Sequence, residues 1–518
     1  MNLIDNAWIP VRRKNGEKTM IAPWQITEGF GTDSEIIELA AVRPDFNGAL
    51  IQLLIGLLQT VCAPKGNSDW RAWFNKPPSI DELRKKFASI VFAFNLDGDG
   101  PRFMQDLKID NESPKVETIE KLLIDAPGES TLGKNVDLFN KRNKIKRLCL
   151  SCCGQALLTL QINAQSGGQG HRVGLRGGGP VNTIIMADSL WQTLWCNVLS
   201  EDEFAVLAAA GKSQAADKFP WCAETRTSEN DRSTTPQDVH PAQVYWSMPR
   251  RMRLKLSDEH GACDLCKEMG PIVKEYYTKP YGIKYDGFVY PLTPTYKNKD
   301  EMVLSVHQHE PLGYKHWLGY VQNTDQGAER ARVIAAAFSK QLSNFRLWAF
   351  GYDMNKMMAS CWYEGVMPIV FIKNEEQWKR YNKEIEKLIQ SADAVRDYVS
   401  KAVVKAMNKS VFNVVRQRFW QETEAEFYRQ AAFLREEIIQ DRDVLEIRNA
   451  WYKYLVEKSS NIFDDMSQAE MIEDVNAERV AKAYNELRSS LDGKKLKIDI
   501  LGLPQEVKED YGNKNSNI

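Results

Sequence analysis

A chain of 518 residues is too long for one hydrophobic core, so two or three domains are expected. Hydrophobic residues make up 43% and charged residues 26%, the balance of an ordinary globular protein. A formal net charge of -1 excludes a uniformly basic surface, so any nucleic-acid contact must come from local basic patches or from a larger assembly that carries the positive field.

The opening MNLIDNAWIPV lacks a basic stretch followed by an apolar run, and is not read as a signal peptide. With nine cysteines, an odd number, this points to a reducing cytoplasm. Trp8 to Val11 and Lys18 to Ala22 flank Asn15-Gly16, which predicts a hairpin. A helix is predicted over 47–62. Its apolar run, Ala49 to Ala63, is too short to span a bilayer and holds Gln52 and Gln59, so a buried core helix is expected. Ser89 to Asn95 reads as a strand and 115–123 as a short helix. Residues 124–148 read as a loop that turns basic at Lys141, Arg142, Lys144, Lys146 and Arg147.

Further on, Val181 to Met186 reads as a strand and Leu190 to Leu199 as a helix. Residues 211–240 are polar and irregular, and a surface excursion or mobile loop is expected. Strand-like pieces follow at 243–256, 287–291 and 302–308, a helix at 328–342, and a strand at Met367 to Ile372. From Asn374 the texture changes to helical pattern. Apolar residues recur at helical spacing in four segments, around Tyr381, Phe427, Trp451 and Leu487. The expected fold class is α+β: a mixed α/β domain over 1–373, an all-α four-helix bundle over 374–506, and a polar tail over 507–518.

The stretch Cys149 to Gly179 concentrates the chemistry. It opens with the CxxC pair Cys149 and Cys152, and a second pair, Cys263 and Cys266, lies far downstream. Each pair has the geometry for half of a tetrahedral Zn²⁺ site, so together they predict a structural zinc clamp, with Cys153 and His260 as nearby substitutes. Four thiolates leave no position for water, so such a zinc is not catalytic. The glycines after the first pair do not match a nucleotide fingerprint. Gly168 to Gly174 has three residues before its last glycine, and no GK[ST] follows. A structural turn and a glycine main chain lying along a nucleic-acid groove, with Arg172 and the 141–147 run near phosphates, both stay open. Hydrolase and kinase signatures are absent, and His307 and His309 form the one histidine cluster, alternating as on a strand.

Several segments in order carry a family resemblance: MNLIDNAWIPV, RFMQ at 102–105, EKLL at 120–123, GLRGG at 174–178 followed by PVNT, both CxxC pairs, GYDMNKMMASCWYE at 351–364 and ETEAEFYRQ at 422–430. Together they resemble CasA, the large-subunit family of the type I-E CRISPR surveillance complex Cascade. The resemblance implies a non-catalytic subunit with a four-cysteine zinc site. It implies that the subunit reads the protospacer-adjacent motif (PAM) of double-stranded DNA from the minor groove, starts unwinding and R-loop formation, and recruits a helicase–nuclease. The family's glycine loop matches Ser166, Gly167, Gly168, Gln169 and Gly170, with Ser166 and Gln169 departing from its pattern. Its lysine finger matches Lys279, with Lys274 and Lys284 as neighbours. Its wedge matches Asn355, Lys356 and Met357, without the family's glutamine. Phe139 and Asn140 match a segment at the guide-RNA end, and Arg142, Lys144 and Arg172 are expected at phosphates. Implied partners are the crRNA-guided Cascade subunits, target DNA and the helicase–nuclease. The alternatives are a nucleic-acid hydrolase, using the glycine stretch or the two histidines, and a purely architectural subunit. Because each CxxC precedes one of the readout segments, the clamp is expected to fix the roots of both.

Overall fold

The computed structural model describes residues 1–126, 144–205, 214–322, 328–340, 342, 345–355, 358–408, 410–468 and 477–505. The chain forms two compact units. One comprises Met1–Leu312 with Gly319–Ile369, the other Gly313–Leu318 with the chain from Val370 onward.

The first unit is built round the helix Pro44–Val61. A proline in its first turn presets the helical φ without losing a hydrogen bond, since the first N–H groups have no partner inside the helix. Apolar residues cover nearly its whole circumference, and Leu50, Leu54, Ile55, Leu57 and Leu58 are all fully buried. Its two glutamines are satisfied inside the protein. Gln52 donates to the Gly48 carbonyl (2.7 Å), and Gln59 donates to the Leu199 carbonyl (3.0 Å) while accepting from the Leu199 N–H (2.8 Å). No helix among the described residues is long and apolar enough to cross a membrane.

Five three-stranded antiparallel sheets surround this helical core among the described residues. The predicted hairpin is Ile9–Arg13 with Lys18–Ile21, joined by Ile36–Leu39 on its other edge. Two sheets matter for the site. One orders Lys115–Thr118, Glu275–Lys279 and Arg251–Lys255, and the other orders Met358–Pro368, Arg346–Asn355 and Asn182–Met186.

Some expectations change. Ser89 to Asn95 is not a strand: Ala88–Ala93 forms a 3-10 helix. Ile90 and Ala93 are buried three residues apart, the period of that helix, and a short apolar run cannot announce which period it will use. Residues 115–123 are not one helix but a strand, Lys115–Thr118, followed by a 3-10 turn, Ile119–Leu122. The strand exists because Glu275–Lys279 supplies its ladder from far along the chain. No strand forms at 287–291, and the strand expected at 367–372 begins at Met358 and ends at Pro368. The described part of 211–240 is no surface excursion. Phe219 and Trp221 are fully buried with Phe94, Phe103 and Trp246, and the Trp221 indole donates to the Ala93 carbonyl (2.5 Å). The polar composition there satisfies turns, while two aromatics anchor the segment.

In the second unit four long α-helices are described: Glu375–Met407, Phe412–Ile439, Leu445–Gln468 and Ala477–Leu491. Asn374 caps the first, its Oδ1 accepting from the N–H groups of Glu376 (2.9 Å) and Gln377 (3.1 Å), and Asn408 ends it in the left-handed region (φ 53°). This long helix packs against the other three. The bundle also contains a piece of chain from before its first helix. Tyr314 stacks on Phe427 at 4.3 Å, and its hydroxyl lies 2.8 Å from Thr423 Oγ1. Trp317 beside it is fully buried. Placing all of 1–373 in the first domain therefore misses Gly313–Leu318, because an isolated aromatic plug carries no periodicity that would assign it to a helical core.

Tyr314→Ala should destabilise the bundle by about 3–5 kcal/mol, the usual cost of emptying a buried aromatic site, whereas Tyr314→Phe should cost about 1 kcal/mol for one hydrogen bond. Denaturant unfolding followed by far-UV circular dichroism separates the two; equal, negligible effects would show that the plug adds nothing.

Candidate metal centre and nucleic-acid interface

The two CxxC pairs meet. All four sulfurs, of Cys149, Cys152, Cys263 and Cys266, lie within 4.8 Å of one another, and Cys149 and Cys266 are 3.6 Å apart. Four sulfurs around a Zn²⁺ with bonds of about 2.3 Å would stand about 3.8 Å apart, so the set fits a tetrahedral metal site. A three-stranded sheet builds it. Leu148–Cys149 pairs with Met269–Val273, which pairs with His260–Ala262. Cys149 is also the N-cap of the helix Leu150–Asn163, its sulfur accepting from the Cys152 N–H (3.5 Å), so that helix points its positive end at the cluster. The opposite knuckle turns at Lys267, whose φ of 69° is left-handed. Its Asp264 carboxylate accepts from the Lys146 (2.7 Å) and Arg147 (3.1 Å) N–H groups, tying one knuckle to the other.

The thiols are electrostatically coupled. Hydrogen bonds with Cys149 and Cys263, then burial, push the Cys152 thiol far up, while hydrogen bonds from Cys149 and Cys152 draw Cys263 far down. Thiolates this close repel one another, and a cation in their midst would relieve that repulsion. Cys153 and His260, the nearby substitutes, are not in the group: the Cys153 thiol points to the Leu148 carbonyl, and His260 is exposed beside the Asp258 carbonyl. No other group of three or more potential ligands comes together among the described residues. His307 and His309 stand 6.3 Å apart, and His307 Nε2 contacts the Arg176 carbonyl (3.0 Å). That position is a structural one.

The candidate readout segments are neighbours. After the helix ends at Asn163, Ser166 to Gln169 form an exposed loop. Gly170 then adopts φ 76°, and a Cβ there would stand 2.7 Å from Pro280 Cβ; its carbonyl accepts from the Tyr281 N–H (2.7 Å). Only glycine meets both demands. The loop is therefore packed on Pro280 and hydrogen-bonded to Tyr281, the two residues that follow Lys279. Lys279 ends its strand opposite Arg251, and its ammonium contacts the Glu112 carboxylate (2.8 Å) and carbonyl (3.1 Å). Arg251, and after it Lys279, holds the Glu112 carboxyl below the usual range. The neighbouring lysines are also paired, Lys284 with Asp231 (2.8 Å) and Lys274 with Glu259. Arg172, expected at a phosphate, instead binds Ser228 through its Oγ (2.7 Å) and carbonyl (3.1 Å), 3.9 Å from Asp231. Glu112 carries no sequence signal; its role is set by the strand that returns beside it.

The second glycine cluster does different work. Gly179, at φ 72°, lies so close to the strand Arg346–Asn355 that a Cβ would meet the Tyr352 carbonyl at 2.5 Å. It lies against a long hairpin, Arg346–Asn355 with Met358–Pro368. Asn182–Met186 supports only the root of the hairpin, up to Phe350. Asn355 is the last described residue before the tip. Lys356 and Met357 lie outside the described residues, as do Phe139, Asn140 and Arg142; Lys144 is exposed.

These features define an α+β protein with a four-cysteine group able to hold a metal ion, an exposed glycine loop beside a lysine-bearing strand, and a separate helical bundle. A profile of the CRISPR-associated protein Cse1 family matches residues 2–462, and the chain belongs to that family, the one its motifs resemble under the name CasA. Its fold is similar to that of Thermobifida fusca Cse1 (TM-score 0.72, 16% identity, covering 96% of this chain and 98% of that one). It is also similar to that of Thermus thermophilus CasA (Cse1) (TM-score 0.67, 18% identity, 95% and 99% covered). A chain of a CRISPR RNA-guided surveillance complex matches with TM-score 0.66 at 15% identity, 95% and 99% covered.

The purified chain should contain one metal ion, measured by elemental analysis, and Cys263→Ser should lose it with a lowered thermal unfolding midpoint. A wild-type chain without metal would overturn the site.

Proposed function

We propose that the chain is the large, non-catalytic subunit of a type I-E Cascade, working in the cytoplasm where its thiols stay reduced. It reads the PAM of duplex DNA from the minor groove, nucleates unwinding and R-loop formation, and recruits the helicase–nuclease. The observation that carries this reading is the bond between Gly170 and Tyr281, which holds the exposed loop Ser166 to Gln169 beside Lys279. Two segments far apart in sequence, each a candidate for groove contact, form one edge.

The chemistry suits the role. A main chain without side chains at 167 and 168 can approach a groove floor, and a lysine can meet the base-edge acceptors there, a degenerate code that tolerates several motifs. Lys279 must first leave Glu112. Both side chains are about one-third exposed (28% and 33%), and an ion pair of that kind is worth about 0–1 kcal/mol, so exchanging it for acceptors on DNA costs little. The wedge candidates Asn355, Lys356 and Met357 are proposed to split the first base pair, at a few kcal/mol of unstacking. Exchange of the DNA partner for the guide RNA is close to balanced, so a local push suffices and target sequence is left to base pairing.

The resident metal is proposed to be Zn²⁺, held by Cys149, Cys152, Cys263 and Cys266. It supplies structure: it anchors the helix Leu150–Asn163, which leads to the loop, and the strands that lead to Lys279. The helix is about 20 Å long at 1.5 Å per residue, so the metal acts through rigid elements and does not touch DNA.

In the assembled complex, Gly168→Asp and Lys279→Ala should each weaken PAM-duplex binding at least about tenfold, the scale of one lost base-edge contact, with a small effect on pre-unwound target. Equal losses on both targets would favour an architectural role, and unchanged duplex binding would refute the site. Metal-dependent DNA cleavage by the isolated chain, abolished by His307→Ala, would overturn the non-catalytic reading. Normal PAM discrimination by a Cys263→Ser complex would sever the metal from readout.

A further inference from the structure

Two guanidiniums in the first unit are withdrawn from solvent with no carboxylate partner among the described residues, against the usual rule that buried charges are paired. Arg176 is fully engaged all the same. It donates to Asn182, Thr293 (3.0 Å), Gln52 (3.1 Å) and the Ile162 carbonyl (3.2 Å), and lies 4.1 Å over the Tyr290 ring. Its charge is absorbed by structure.

Arg250 is not so engaged. One nitrogen, Nη2, donates to the Gln165 carbonyl, while Nε is buried with no hydrogen-bond partner. Burial draws the group down to about 10, which leaves it cationic at neutral pH. The residue keeps partial exposure, and Gly167 of the glycine loop lies against its guanidinium. A Cβ on Gly167 would lie 2.6 Å from Nη1 and 2.9 Å from Nη2, whereas one on Gly168 would meet nothing within 4 Å. The absence of side chains at 167 and 168 therefore leaves a cation under a thin, open stretch of main chain. An uncompensated positive charge beneath exposed amides attracts anions.

We infer that Arg250 is an anion-contact residue, and that its guanidinium holds a phosphodiester group of the duplex lying over Ser166 to Gly170. The inference rests on the DNA-binding reading of that loop, and it assigns the glycine at 167 a second task, leaving the guanidinium uncovered. A phosphate contact carries no sequence information but fixes register, so its loss weakens matched and mismatched motifs alike.

The test measures duplex binding by the assembled complex across a salt series. Arg250→Gln should weaken PAM and non-PAM duplexes by a similar factor, about tenfold, and lower the slope of log affinity against log salt by about one. Arg250→Lys, which keeps the charge, should retain the wild-type slope. Gly167→Ala, which forces a methyl against the guanidinium and within 2.7 Å of His171 Cβ without removing charge, should weaken both duplexes while leaving the metal content unchanged. An unchanged slope for Arg250→Gln would overturn the assignment, as would Arg250→Lys matching Arg250→Gln, since Arg250 would then only prop the loop. Gly168→Asp separates the two levels. A loss with Gly168→Asp but none with Arg250→Gln refutes the phosphate contact alone, and no loss with either refutes the DNA-binding loop as well.

Discussion

The first unit depends on one closure: Cys149 and Cys266, 117 residues apart, brought to 3.6 Å in a four-thiol cluster. Bringing ends of that separation together costs chain entropy, and four neutral or repelling thiols return little for it. A divalent cation held there would reverse the balance, because it would ionise the thiols and bind them in one step, coupling fold to metal. Helix Leu150–Asn163 leaves from this point, strand Met269–Val273 leads from it into Glu275–Lys279, and the chain beyond helix and last strand meets again where Gly170 bonds Tyr281. The unit holds its readout edge between two closures, one through sulfur and one through a glycine contact.

That edge shows how charge is managed around a candidate DNA-facing surface in a chain with net charge of only -1. Lysines 274, 279 and 284 each have an acidic partner, and Arg172 is tied to Ser228. Weak ion pairs at half-exposed sites screen the cations in the free protein and exchange cheaply for phosphate or base-edge acceptors. Arg250 stands apart because its charge has no acid to leave. Two functions of glycine also separate here. Those at 167 and 168 keep main chain accessible, while Gly170 admits Pro280 and Gly179 admits the strand at Tyr352 that carries the hairpin.

Much of this is legible in residue order, and the departures have common causes. The Asn15-Gly16 hairpin, the all-apolar helix at its glutamines, the four periodic helices and both CxxC pairs are local patterns whose chemistry reads directly. Ser89 to Asn95 departs because a run of that length suits a strand or a tight helix equally. Lys115–Thr118 depends on a partner strand from a distant part of the chain. Phe219 and Trp221 are hidden in a polar segment, and Tyr314 and Trp317 in a stretch with no period at all. In each case burial is decided by neighbours that come from elsewhere in the chain.

Residue order by itself determined the ligand chemistry, the helical texture after Asn374 and the family resemblance, because thiol spacing, apolar periodicity and motif order survive without coordinates. Only the tertiary structure decided that the two cysteine pairs share one centre, that Gly170 abuts Pro280, that Glu112 holds Lys279, and that Arg250 lies uncompensated under the loop. The physical reason is the same throughout: which charges are paired and which backbones touch depends on the meeting of distant segments, and a linear pattern does not contain that meeting.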